Sequence, residues 1–107
     1  MSRTNRYCMV VCNACADSCD HCAISCLKEQ NVAYLGRCVM LHMDCAAICR
    51  LAAGFMARSS EFTRQMCEAC AYVCEACAEE CLRHPEQHCQ QLCAEACRKC
   101  ADACRAM

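Results

Sequence analysis

The sequence has no tryptophan, one proline, two glycines and only two phenylalanines among its 107 residues. Large apolar side chains are few: six Leu, two Ile, five Val and two Phe. If cysteine is ignored, such a composition describes a disordered chain, because it offers too little apolar bulk to offset the entropy of ordering. No uninterrupted apolar run is long enough to span a bilayer, and the opening Met-Ser-Arg-Thr-Asn-Arg-Tyr-Cys lacks the apolar stretch of a secretory signal. If the chain is complete, that start places it in the cytosol. An excess of charge of one sign is also lacking: the net charge is -1 and the pI about 6.4. Neither nucleic acid nor a membrane is therefore indicated as a partner. The haem-attachment signal Cys-x-x-Cys-His is absent. So is any strand pattern of the kind a thioredoxin-like redox enzyme needs before its Cys-x-x-Cys helix, and the chain reads as a non-enzyme.

What the chain has instead is cysteine, 19 residues of it. Cys8, Cys12, Cys15, Cys19, Cys22 and Cys26 follow a strict 4-3-4-3-4 spacing, the seam of a helix that buries one stripe against others. Cys67, Cys70, Cys74, Cys77 and Cys81 run 3-4-3-4, and Cys89, Cys93, Cys97, Cys100 and Cys104 run 4-4-3-4. A thinner copy stands at Cys38, Cys45 and Cys49. These seams predict four helices: about Asn5 to Glu29, Val32 to Arg58, a third capped by Ser59 or Ser60 and ending near Arg83, and a fourth with Pro85 in its first turn and its end near Arg105. In the second, Leu35, Cys38, His42, Cys45, Cys49, Ala52 and Met56 should face inward. Short links between helices of this length favour antiparallel neighbours. The expectation is one all-α domain over residues 1–107, an antiparallel up-down-up-down four-helix bundle with a cysteine-lined core.

Cysteine-dense short chains are usually secreted disulfide scaffolds. Here the odd count, the absent signal and the placement on helix seams all point away from disulfides. Leu or Val at the seams would bury more area, so stability alone does not explain the thiols. Nine Cys-x-x-x-Cys pairs account for all but Cys38 and Cys67, and each puts two sulfurs on adjacent turns of one helix. Soft thiolates select Cu(I), zinc or iron–sulfur chemistry. Iron–sulfur sites usually draw ligands from loops that this pattern lacks. Zinc needs four ligands per ion, whereas a monovalent ion that shares sulfurs allows nearly one ion per thiolate and cancels their mutual repulsion. Many Cu(I) ions per chain is the reading favoured, and a metallothionein-like zinc or cadmium buffer is the alternative.

The ladder at 8–26, the run Cys-Glu-Ala-Cys-Ala-Tyr-Val-Cys-Glu-Ala-Cys-Ala-Glu-Glu-Cys at 67–81 and the closing segment from His88-Cys89 to Cys104 resemble those of the bacterial copper storage proteins, in their cytosolic branch. The likeness covers about residues 5–105. It implies storage of many Cu(I) ions in a four-helix bundle and a homotetramer as the usual assembly. The second helix, with three cysteines, departs from the pattern.

Four histidines remain. His42 lies in the second seam, as a copper ligand or as a core histidine held by a hydrogen bond. His84 and His88 flank Pro85 at one mouth of the bundle, beside Cys81 and Cys89, either as ligands or as parts of a solvated turn. His21 falls off the seam. Met9, Met56, Met66 and Met107 gather at the other mouth, as gap-fillers or as thioethers that admit copper. Val10, Ile24 and Leu27 lie outward on the first helix and suggest a subunit contact.

Overall fold

Ser2 starts the first helix: its hydroxyl accepts the Asn5 backbone N–H at 3.0 Å and satisfies an amide that the helix leaves open. Helix α1 then runs Arg3–Leu27 in a computed structural model that describes residues 1–87 and 89–107. It is followed by α2 (Gly36–Ala57), α3 (Thr63–Leu82) and α4 (Gln90–Arg105). There is no strand among the described residues. α1 and α3 each pack against both α2 and α4, in a rod of 44 × 17 × 17 Å. Sulfur contacts between α1 and α4 pair Cys8 with Cys104, Cys15 with Cys97 and Cys19 with Cys93, an order that makes the two helices antiparallel. Between α2 and α3, the pairs Cys45–Cys74 and Cys49–Cys70 run the same way. The fold is the expected antiparallel four-helix bundle.

Every seam residue expected in α2, from Leu35 to Met56, is buried. The core consists almost entirely of Cys and Ala; among the described residues, Val11, Leu35, Val39 and Met56 are its only larger apolar members. Bulkier groups such as Met40, Tyr72 and Leu92 stand outside. Val10, Ile24 and Leu27 are likewise exposed on the outer face of α1.

The helix ends differ from expectation. α2 starts four residues late, because residues 28–35 close into turns with short backbone bonds such as Tyr34 N–H to Asn31 C=O and Leu35 N–H to Val32 C=O. Neither Ser59 nor Ser60 caps α3 as an N-cap. Ser59 has a left-handed φ of 54°, and Ser60 instead binds the Phe62 N–H through its hydroxyl and the Thr63 hydroxyl through its carbonyl. Pro85 is not in the first turn of α4. The chain turns there, with Gln87 N–H bonded to His84 C=O, and α4 begins only at Gln90.

α2 holds no uninterrupted apolar run, as expected, because Asp44 and Arg50 interrupt it. It has an 18-residue window of mean hydropathy 1.4, long and apolar enough by composition to cross a membrane. Cysteine and alanine supply much of that apolarity without bulk, and the buried stripe from Cys38 to Met56 faces the bundle interior.

Candidate metal centre

Spacings of three and four residues bring successive cysteines to one face of a helix. Next to the thiols each helix buries a pair of alanines seven apart: Ala16 and Ala23, Ala46 and Ala53, Ala71 and Ala78, Ala94 and Ala101. These lack bulk, so the helices approach closely enough for sulfurs on different helices to meet. Eighteen cysteines are buried and Cys89 is half-buried.

The sulfurs form a continuous column. Cys8 and Cys12 lie 3.8 and 3.7 Å from Cys104, Cys12 3.5 Å from Cys100, and Cys49 3.7 Å from both Cys70 and Cys100. Within single helices, Cys45–Cys49 at 4.0 Å and Cys70–Cys74 at 3.9 Å are also in contact. With metal–thiolate bonds of about 2.3 Å, a trigonal ion needs sulfurs about 4.0 Å apart and a tetrahedral one about 3.8 Å. The column meets both conditions.

Its groups overlap. Cys12, Cys70, Cys100 and Cys104 lie within 4.8 Å of one another; so do Cys15, Cys49, Cys74 and Cys100, and again Cys15, Cys19, Cys45 and Cys97. Cys19, Cys77 and Cys93 form such a group with His42, and Cys8, Cys67 and Cys104 form one of three. Cys15, Cys19, Cys100 and Cys104 each belong to two groups, so isolated four-ligand sites would compete for the same sulfurs. Only two of these five groups contain a Cys-x-x-x-Cys pair, Cys100 with Cys104 and Cys15 with Cys19; in the other three each ligand comes from a different helix, so the pair on one helix is not the unit of the arrangement.

His42 is fully buried and bound on both edges. Its Nδ1 faces Cys77 at 3.3 Å and Cys93 at 3.4 Å; its Nε2 faces Cys38 at 3.3 Å, Cys81 at 3.7 Å and the Gln90 side-chain oxygen at 3.1 Å. Burial opposes charge on the ring, but hydrogen bonds with Cys38, Cys77 and Cys93 outweigh it and raise the His42 pKa. The hydrogen bond with Cys81, and then those with His42 and Gln90, pull Cys38 down to about 5 against the effect of burial. Burial pushes Cys26 up to about 11. Hydrogen bonding to neighbouring thiols, Cys100 first, raises Cys12 and Cys74.

Gln90 was not legible as a site residue. It is fully buried and touches four side chains: its amide N–H groups donate to Cys38 at 2.9 Å and Cys26 at 3.4 Å, and its oxygen lies 3.2 Å from the Cys22 sulfur and 3.1 Å from His42 Nε2. The exclusion of disulfides is also corrected at one place. Cys22 and Cys89 are paired as a disulfide across α1 and the start of α4, with Cα atoms 5.7 Å apart, inside the range a disulfide spans.

His84 is buried rather than solvated. Its Nε2 bonds Glu80 at 2.9 Å, Tyr34 packs edge-on against its ring, and Nδ1 has no hydrogen-bond partner among the described residues. His88 lies outside the described residues. His21 is exposed. At the opposite end Met56 is buried, while Met9, Met66 and Met107 are half-buried against the core.

The profile of the copper storage protein family matches residues 1–107. A cysteine-rich protein of Bacillus subtilis, YhjQ, is 41% identical over 90 residues, 84% of this chain and 83% of that one. The Cu(I)-bound copper storage protein BsCsp3 superposes with a TM-score of 0.92 at 39% identity, over 98% of each chain. A cytosolic copper storage protein of Streptomyces lividans, in a structure with five coppers, has a TM-score of 0.92 at 41% identity, over 96% of this chain and 90% of that one.

Proposed function

The chain belongs to the copper storage protein family, and from that premise we propose that it stores many Cu(I) ions in the cytosol, along one column of shared thiolates. The observation that carries this reading is the overlap of the buried groups, in which Cys15, Cys19, Cys100 and Cys104 each serve two sites. Sharing suits a soft monovalent ion held by two or three sulfurs and works against separate tetrahedral zinc ions. All the column cysteines, with His42, are proposed ligands. Cys22 and Cys89 join them once reduced, and His88, next to Cys89 in the sequence, is a proposed ligand as well. The family's role is storage rather than catalysis. Residues 1–107 act as one domain, and the exposed Val10, Ile24 and Leu27 support self-association into a tetramer.

Anaerobic titration of the reduced protein with Cu(I) against a competing chelator tests the reading. At about one ion per shared thiolate, the plateau is expected on the order of 15–20 ions per chain. A plateau at only about four or five would indicate separate four-ligand sites and overturn storage of Cu(I) in favour of a zinc-type buffer.

A further inference from the structure

Both ends of the rod carry a surface groove that reaches sulfur. One, of about 270 Å³, lies beside Cys26 and Cys89, with Ser25 and Lys28 in its wall. The larger, of about 600 Å³, is at the opposite end, where Arg64, Glu68 and Tyr72 of α3 face Cys104, Arg105 and Met107. We propose that this larger groove is a port at which an anionic low-molecular-weight thiol hands Cu(I) to Cys104 and takes it back. The proposal rests on the Cu(I) storage reading.

Cys104 is placed for such an exchange. With 3% of its surface exposed, it is the most accessible of the eighteen buried cysteines. It is also shared, in one group with Cys8 and Cys67 and in another with Cys12, Cys70 and Cys100. An ion that arrives there stands at the head of the column. Sulfurs then follow without an oxygen or nitrogen between them: Cys104 to Cys12 at 3.7 Å, Cys12 to Cys100 at 3.5 Å and Cys100 to Cys49 at 3.7 Å. Met107 adds a thioether to the groove wall, a soft donor suited to Cu(I) in transit. A third groove, of about 220 Å³ on the flank between α1 and α4, touches Cys15, but that sulfur is fully buried among valine and alanine side chains. It has no second soft donor.

The walls of the groove indicate what carries the ion. Its volume falls in the range of small-molecule sites, about 300–1,000 Å³. Arg105 is bonded to Glu75, whereas the exposed Arg64 forms no ion pair among the described residues, Glu68 one turn away included. A free guanidinium takes a carboxylate through paired hydrogen bonds. A thiol that also bears a carboxylate thus meets both features, its carboxylate at Arg64 and its sulfur-bound Cu(I) at Cys104. Hydrogen bonding with Cys100 first, then with Cys12 and Cys67, lowers the Cys104 pKa, so this sulfur meets the carrier as a thiolate. The exchange needs no oxidant or reductant. The bond from Cu(I) to the carrier sulfur breaks as the bond to Cys104 Sγ forms, the copper stays Cu(I), and the departing carrier thiolate takes a proton from water.

Release from the fully loaded, reduced protein to excess bathocuproine disulfonate, followed by absorbance, tests the port, because a port that admits the carrier complex also lets it out. Glutathione, which bears carboxylates, is added as the carrier, and cysteamine, a cationic thiol, as the comparison; each rate is read above that with the chelator alone. Ser25→Trp, which fills the groove beside Cys89, should leave a glutathione-driven release that Glu68→Trp, which fills the port, then abolishes. If circular dichroism shows that Glu68→Trp does not fold, Met107→Trp fills the port from another wall. In the Ser25→Trp protein, Arg64→Ala should lower the glutathione-driven rate by about three-fold, the size of one exposed charge pair, and leave the cysteamine-driven rate no lower. Loss of all carrier-driven release in Ser25→Trp, no loss on filling the port, or a failure of Arg64→Ala to slow glutathione more than cysteamine would each overturn the proposal. A wild-type plateau of four or five ions, measured first, would instead remove the storage reading on which it rests.

Discussion

At the scale of single residues, His42 is the side chain on which most contacts converge. It bonds Cys38, Cys77, Cys93 and Gln90 without any exposure to solvent. Replacing it with leucine keeps the bulk but leaves those buried groups short of a partner, and an unsatisfied buried group costs about 1–3 kcal/mol. His42→Leu in the apo, reduced protein should therefore lower the urea midpoint by an amount of that order, and the Cu(I) plateau should fall by about one ion. An unchanged midpoint together with an unchanged plateau would show that His42 is neither a structural partner nor a ligand. Its place in the seam was legible from the residue count alone, since 38, 42, 45 and 49 share one face of a helix. Gln90 was not legible. The cysteine rhythm puts Cys89 in register with Cys93, whereas α4 starts at Gln90 and Cys89 remains half-buried, beside Cys22. One residue at a helix start turns a side chain by about 100°, and no spacing rule reveals which of two neighbours takes the inner place.

At the scale of helices, the seams of α1, α3 and α4 were plain because thiols mark their inward turns, three thiols and His42 sufficed to mark that of α2, and the alanine pairs beside them let the walls close. The ends were obscure because side chains distant in sequence determine them. Glu80, buried on α3, accepts from Arg37 at the start of α2, from Arg83 and from His84, so it ties the 28–35 turns and the chain before α4 to one carboxylate. That anchoring keeps the segment around Pro85 out of α4. Glu80→Ala should destabilise the apo bundle by about 1–2 kcal/mol, toward the low end for charged hydrogen bonds because Arg37 and Arg83 return to water. Urea unfolding measures it, and faster amide exchange at residues 33–36 should accompany it. An unaltered midpoint would mean that the carboxylate merely fills space. The surface pairs of Arg50 with Asp17 and Asp20 are exposed at both partners and should contribute little by comparison.

At the scale of the whole molecule, the core is made of small side chains and sulfur, so the metal-free rod has little apolar bulk to hold it. Its backbone nevertheless matches that of a Cu(I)-bound relative over nearly the full chain. The sulfur spacings already suit trigonal coordination, so loading needs side-chain rotation and no refolding, unlike small zinc domains in which binding and folding are one event. Two measurements follow from this. Ions that bind the native state and not the unfolded one add their binding free energy to stability, so the thermal midpoint should rise steadily as Cu(I) is added, while far-ultraviolet circular dichroism at 20 °C stays constant. Protons must also leave. Burial holds Cys26 protonated up to about 11, and neighbouring thiols hold Cys12 and Cys74 protonated as well, so each metal–sulfur bond formed there displaces a proton. At neutral pH these groups lie below their folded pKa values, and the sign is therefore fixed: Cu(I) affinity must increase as pH rises. The Cys38–His42 pair releases one proton as well, but from the ring rather than the thiol. Hydrogen bonds with neighbouring thiols lower Cys15, Cys70 and Cys93, so titration in weak buffer with a pH indicator should show protons released from Cys12, Cys26 and Cys74 and none from these three. The absence of any release would mean that the whole column is held as thiolates before copper arrives. A large gain of helix on loading would mean that the metal, and not the alanine-lined seams, builds the bundle.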